Sequence, residues 1–149
     1  MASAPREVWG DLATTAFVEA SHLFKSLDPD ARRDLLQLAQ VVSFSAGELV
    51  SGEADETFYL VIDGAADVYV AAPGGPVDIA RLERGAFFGE GRVLGSGRRA
   101  SLAAHSDVTL VVFPAPVIAA MSARFPKVKK LLEVVLAARE RNADQKIAS

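Results

Sequence analysis

The chain has 149 residues and a mass of 15.8 kDa, with 50% hydrophobic and 23% charged residues, the make-up of one globular domain with no room for a second. It holds no cysteine and two histidines, His22 and His105, which excludes thiol catalysis and thiolate metal sites and argues against multi-histidine metal chemistry. A net charge of -3 and a pI of about 5.4 oppose binding to a phosphate backbone, so no nucleic-acid partner is expected.

The N-terminus, MASAPREVWGDL, lacks the basic start and apolar run of a secretory signal. The most apolar stretch, 108–121, is interrupted by Pro114 and Pro116 and is too short to cross a bilayer. The expectation is a soluble cytoplasmic protein with no membrane partner.

In chain order, apolar residues first recur at helical spacing, with Val8, Leu12 and Ala16 on one line and Trp9, Ala13 and Phe17 beside it. This predicts an amphipathic helix from Arg6 within an N-terminal helical segment, 1–22, with Trp9 as its core or interface anchor. A second helix has its own start signal: Asp28 suits the N-cap and Pro29 the first helical position, and Leu35, Leu36 and Ala39 supply a buried stripe.

After Val42 the period becomes two and glycines punctuate the chain at Gly47, Gly52, Gly64, Gly74, Gly75, Gly85 and Gly89. Phe58, Leu60 and Ile62 alternate with Tyr59, Val61 and Asp63, and Gly64 turns the chain into Ala66, Val68 and Val70. Pro73-Gly74-Gly75-Pro76 is a hairpin tip, from which Val77, Ile79 and Leu82 return. Strands at 100–104 and 108–113 complete about eight, an all-β barrel or sandwich. His105 falls in the turn between these last two and reads as a surface residue.

Beyond Pro114 the helical period returns, in a short helix over 116–123 and a longer one from Pro126. Val128, Leu131, Leu132 and Val135 form its stripe, which Val134, Leu136 and Ala138 widen beyond one core face. That surplus fits a partner or a movable packing surface, and equally a C-terminal helix merely laid on the barrel. Lys127, Lys129, Lys130, Arg139 and Arg141 read as the solvated edge of the stripe. The polar end of the chain, from Arg139 to Ser149, is expected to fray, with 143–149 as a polar tail beyond the helices.

Residues 84–101, RGAFFGEGRVLGSGRRAS, have the most unusual composition: closely spaced glycines, Arg92, Arg98 and Arg99, and a single acid, Glu90. Glycines let backbone amides approach a ligand, and a short helical turn after Glu90 would aim its positive end at an anion. A nearby guanidinium would complete a phosphate site, and the carboxylate suits sugar hydroxyls. The same composition also fits an ordinary solvated turn of a barrel.

Phe44, Gly47, Gly52, Tyr59 and Gly64, followed by Phe88-Gly89-Glu90 and an arginine eight residues on, give the chain a pattern that resembles the cyclic nucleotide-binding domain family over roughly residues 23–136. The resemblance implies an eight-stranded double-stranded β-helix, a jelly-roll-like β-roll with N- and C-terminal α-helices. The domain would span 23–138, the roll about 41–113 and the C-terminal helices 116–142. It implies a stand-alone regulatory sensor and not an enzyme, with no cofactor and with cAMP or another cyclic nucleotide as ligand. Movement of the C-terminal helices would carry the signal, and the last helix would offer a face to a second copy or a protein partner.

In the family a glutamate of this motif binds the ribose 2'-hydroxyl, an arginine neutralises the cyclic phosphate, and amides of the short helix complete the cradle. Carried over, the ligand-binding set is Phe88, Gly89, Glu90, Gly91, Arg92, Arg98, Arg99 and Ala100. Strand alternation selects Arg98 for the phosphate, because it would then share a face with Ala100, Leu102 and Ala104. Arg92 and Arg99 depart from the pattern, standing where small residues are usual. Three guanidiniums exceed the need of a monoanion. A cyclic dinucleotide, or a pocket that binds no cyclic mononucleotide and serves as a protein-interaction module, is the alternative. Val128, Leu131, Leu132 and Val135 are the candidates for an apolar lid over the base.

Overall fold

The computed structural model describes residues 6–7 and 12–148. A two-residue strand, β1 (Arg6–Glu7), is followed by three helices, α1 (Leu12–Glu19), α2 (His22–Lys25) and α3 (Pro29–Leu38). The helix expected from Arg6 is therefore corrected. Arg6 and Glu7 pair antiparallel with Val41 and Gln40 as an edge strand, and helix begins only at Leu12. Val8 and Trp9, assigned to that helix from sequence, lie outside the described residues. α3 starts as its sequence dictates: Asp28 Oδ1 accepts from the Ala31 amide at 2.8 Å, and Pro29 fills the first turn.

Eight further strands follow: β2 (Gln40–Phe44), β3 (Leu49–Ser51), β4 (Thr57–Asp63), β5 (Ala66–Val70), β6 (Val77–Leu82), β7 (Phe87–Phe88), β8 (Ala100–Ala104) and β9 (Val108–Pro114), with a one-turn helix, α4 (Glu90–Leu94), between β7 and β8. They form two antiparallel sheets, ordered β1-β2-β9-β4-β7 and β3-β8-β5-β6. This is the β-roll with flanking helices that the sequence led us to expect. The Pro73–Pro76 tip joins β5 to β6, with Gly75 at φ +115°.

The first sheet is buried on both faces. Phe58 and Leu60 of β4 pack with Phe24, Leu35, Phe113 and Ile118 under the helices, whereas Tyr59 and Val61 face Val68, Leu102 and Leu110 inside the roll. Two hydrophobic cores thus share one sheet as their wall, which is why β4 reads as nearly continuously apolar.

The last two helices are α5 (Ala115–Arg124) and α6 (Pro126–Ala148). α6 overturns the expectation of a tail frayed from Arg139 onward, because it stays helical to Ala148. Val128 and Leu132 anchor its first half in the helical core, and the second half crosses to the roll, where Ala143 is 1% exposed and Ile147 packs on the interior cluster. One small apolar residue and one partly buried isoleucine, spaced four apart, suffice to dock a polar-looking segment.

Candidate functional site

The site is built where β7 runs into α4. Gly89, the residue between them, has φ +117°, and a Cβ there would stand 3.1 Å from the Thr57 carbonyl and 3.2 Å from the Phe58 Cα. Only glycine accepts that backbone angle without strain, so the turn into α4 depends on it. α4 then begins with Glu90, whose first-turn neighbours have amides without an intrahelical acceptor.

Glu90 is 5% exposed. Its Oε2 accepts from its neighbour's amide, Gly89 N, at 3.1 Å and from Arg139 Nη1 of α6 at 2.6 Å. The other arm of Arg139 donates to the Phe87 carbonyl at 2.6 Å. A buried carboxylate is tolerable because a guanidinium neutralises it at bonding distance.

The three arginines of the motif have three different fates. Arg92 turns inward behind the cradle: Nη1 donates to Ser51 Oγ at 2.6 Å and the Thr57 carbonyl at 3.2 Å, and Nη2 to the carbonyls of Gly52 at 2.8 Å and Ala100 at 3.2 Å. Its guanidinium carbon sits 4.8 Å from the Phe88 ring centre. Burial lowers its pKa, against the attraction of Asp55. The network continues through Ser51 Oγ to Asp55 Oδ2 at 2.9 Å, an oxygen that also accepts from the Tyr59 hydroxyl at 2.6 Å. Burial, reinforced by the Asp55 carboxylate, pushes Tyr59 up to about 12. Burial also works to raise Asp55, but the hydrogen bonds from Tyr59, Thr57 and Ser51 outweigh it and hold the carboxyl below its ordinary value.

Arg98 turns outward to α6. Its Nη1 bonds Glu140 Oε2 at 2.7 Å and its Nη2 bonds Asp144 Oδ1 at 2.5 Å. The hydrogen bond to Asp144, helped by the charge of both acids, raises its pKa. Arg99 is exposed and, among the described residues, makes no hydrogen bond or ion pair.

Between these groups lies a cavity of about 340 Å³. Phe88, Glu90 and Gly91 line one side, Val68, Val70 and Ile79 of the second sheet form an apolar wall, and Leu136, Arg139 and Glu140 of α6 close another side. All eight residues expected from sequence border it: Phe88, Gly89, Glu90, Gly91, Arg92, Arg98, Arg99 and Ala100. The guanidiniums of Arg92 and Arg98 are nevertheless engaged by protein groups, while that of Arg99 is not. The parity that selected Arg98 does not reach it, since β8 begins at Ala100; within the strand Leu102 and Ala104 face the interior as expected.

α6 supplies what the sequence reading missed. Val128 and Leu132 are fully buried in the helical core and do not border the cavity, whereas Leu136 does. Arg139, read from sequence as a solvated edge, has a side chain only 13% exposed. Leu136, Arg139 and Glu140 are spaced three and four apart, one face of a helix, and that spacing is the signal that could have found them. His105 does lie in the β8–β9 turn, with its Nδ1 3.1 Å from the buried Asp67 carboxylate. Among the described residues no group of three or more potential ligands could hold a metal ion, and no helix is long and apolar enough to cross a membrane.

A family model described as "Cyclic nucleotide-binding domain" matches residues 41–125. A cAMP-dependent protein kinase regulatory subunit of Aspergillus niger is 34% identical over 96 residues, covering 62% of this chain and 23% of that protein. One from Dictyostelium discoideum is 32% identical over 92 residues, covering 59% and 28%. The chain thus spans about a quarter of the length of these relatives. Among solved structures, the catabolite activator protein of Thermus thermophilus aligns with a TM-score of 0.65 at 30% identity, covering 86% of this chain and 62% of that one. The sensor domain of the regulator DNR from Pseudomonas aeruginosa shares the fold, with a TM-score of 0.71 at 20% identity over 93% and 95% of the two chains.

Proposed function

The chain belongs to the cyclic nucleotide-binding domain family, and we propose that it is a regulatory sensor whose ligand is a purine 3',5'-cyclic monophosphate, cAMP before cGMP. Glu90 Oε1 takes the ribose hydroxyl, the first-turn amides of α4 and the guanidinium of Arg99 take the cyclic phosphate, and the base lies against Val68, Val70, Ile79 and Leu136.

The observation that supports this reading is the disposition of the three arginines. Arg92 is saturated by Ser51, Gly52, Thr57 and Ala100, and Arg98 by Glu140 and Asp144. One guanidinium, Arg99, is left for the cavity, and one positive charge matches a monoanionic phosphodiester. The excess of charge that favoured a cyclic dinucleotide disappears. Size argues the same way, since about 340 Å³ lies near the lower end of the roughly 300–1,000 Å³ typical of small-ligand pockets. The preference for cAMP is supported by the curated relatives, described as cAMP-dependent.

Its place in the wall supports signalling through α6. A ligand can move the helix only by contacting it differently in two states, and Leu136, Arg139 and Glu140 are the residues able to register that difference. Isothermal titration with cAMP, cGMP and cyclic di-GMP tests the reading: one saturable site for cAMP is expected, weaker for cGMP and absent for the dinucleotide. No heat and no thermal shift with either mononucleotide would overturn it in favour of an interaction module that keeps the fold alone.

A further inference from the structure

We propose that the chain carries a second small-molecule site, on the neighbouring face of α6, that takes a compact aromatic molecule with a single hydrogen-bonding group. The site is separate from the nucleotide cavity and does not depend on what binds there.

A cavity of about 270 Å³ lies between the start of α2, the edge strand β7 with β4 beside it, and the middle of α6. Its walls are hydrocarbon. Leu23, Leu60 and Phe87 reach it from the buried core, and Leu131 and Val135, both partly buried, from α6. Such walls give water nothing to bond to, and an engineered apolar cavity of about 150 Å³ stays dry and binds benzene. The Phe87 ring, already paired with Phe58 at 5.4 Å between centres, adds an aromatic surface that favours an aromatic guest.

The polar groups of the cavity narrow the chemistry further. Three polar side chains border it, and two are committed elsewhere. Ser21 Oγ caps α2 by accepting from the Phe24 amide at 3.4 Å, and the Arg139 guanidinium is held by Glu90 and the Phe87 carbonyl. His22 is exposed, and its ring makes no hydrogen bond or ion pair with any described residue. A charged or polyhydroxylated molecule would leave water here without replacement for its hydrogen bonds. A flat apolar body with one polar group at its His22 end keeps its own and hides its hydrocarbon.

α6 gives the site its consequence. Leu131 and Val135 border this cavity, Leu136 and Glu140 border the first, and Arg139 stands between and borders both. A guest packed on Leu131 and Val135 braces the middle of the helix that also walls the nucleotide cavity. One helix is thereby open to two ligands of different chemistry.

Indole, aromatic with one N–H donor, is the probe, titrated into the full chain with its Leu, Val and Ile methyl groups followed by NMR. Saturable shifts at Leu60, Leu131 and Val135 are expected, with a dissociation constant of about 1 mM or tighter, and slower hydrogen exchange of the amides over 131–139. Glycerol, small and polar, should shift none of them. Val135→Phe, which fills the cavity, should abolish indole binding. Val135→Ala, which leaves it open and guards against an overpacked variant that fails to fold, should retain it. No saturable shift, shifts confined to Val68, Val70 and Ile79 of the first cavity, unchanged exchange in α6, or binding that survives in folded Val135→Phe overturns the inference. Because no nucleotide enters this experiment, its failure leaves the sensor reading standing, and the failure of that reading leaves this site standing.

Discussion

Arg98 holds Glu140 at two points: its backbone amide donates to Oε1 at 2.9 Å and its guanidinium to Oε2 at 2.7 Å. The next residue, Arg99, borders the cavity. Two consecutive arginines that both border the cavity therefore differ in their partners: Arg98 is tied to α6, and Arg99, among the described residues, makes no hydrogen bond or ion pair.

Their variants should separate accordingly. Arg99→Ala should weaken cAMP binding by about tenfold or more, the worth of a charge-assisted phosphate contact. Arg98→Ala should keep affinity within about threefold but raise hydrogen exchange in the second half of α6. Because the Arg98 pairs are partly exposed, salt near 1 M should raise exchange there in the unmodified protein too. The opposite ranking of the two variants in calorimetry would return the phosphate role to Arg98.

Arg92 should matter to folding before it matters to ligand. Its removal strips donors from three backbone carbonyls and Ser51 at once. Arg92→Ala should cost about 2–3 kcal/mol in urea unfolding, and Arg92→Lys should recover less than half of it. A loss below about 0.5 kcal/mol would show that water replaces the guanidinium without penalty.

The Asp55–Tyr59 pair sets two pH limits. Asp55 has its folded pKa below the ordinary 3.8, so its stabilisation is present above that pH and is lost as the pH falls through the folded value. Tyr59 has its folded pKa raised from 10.0 to about 12, so its stabilisation is present below pH 10 and is lost as the pH rises toward 12. Thermal melts across pH should show a shallower acid decline in Asp55→Asn and a shallower alkaline decline in Tyr59→Phe than in the unmodified chain.

Gly97 tests how closely the loop must fit the helix. It has φ +84°, and a Cβ would stand 2.7 Å from Leu136 Cδ1 and 3.1 Å from Glu140 Oε1. Gly97→Ala should cost about 1 kcal/mol or more and loosen α6 at Leu136 and Glu140, seen as faster exchange of their amides. Unchanged exchange and melting would mean that the flexible side chains yield without moving the helix.

The roll was legible because its signals are local. Alternating apolar residues, Gly64 at its turn and the Pro73–Pro76 tip each mark an element within a few residues. So does the Asp28–Pro29 start of α3. The cradle was legible for the same reason, since Phe88-Gly89-Glu90 is contiguous. What was not legible depends on contacts between distant parts of the chain. Arg139 looks like any solvated basic residue until α6 is laid across the roll, and Asp144 looks like a polar tail until Arg98 meets it. Arg6 and Glu7 are taken from a helical pattern by the free edge of β2. The choice between Arg98 and Arg99 rested on strand alternation, which reaches neither residue because β8 begins at Ala100.

Phe87 and Phe88 are adjacent, yet Phe87 packs in the core beneath the helices and Phe88 in the core inside the roll. Glu90 hangs two residues further on. The cavity wall is thus clamped by both interiors at once, and a shift of either aromatic ring must be accommodated by the other through a single peptide link. The shape of the cavity wall and the seating of the helical layer are for that reason one packing problem, shared by the same few atoms.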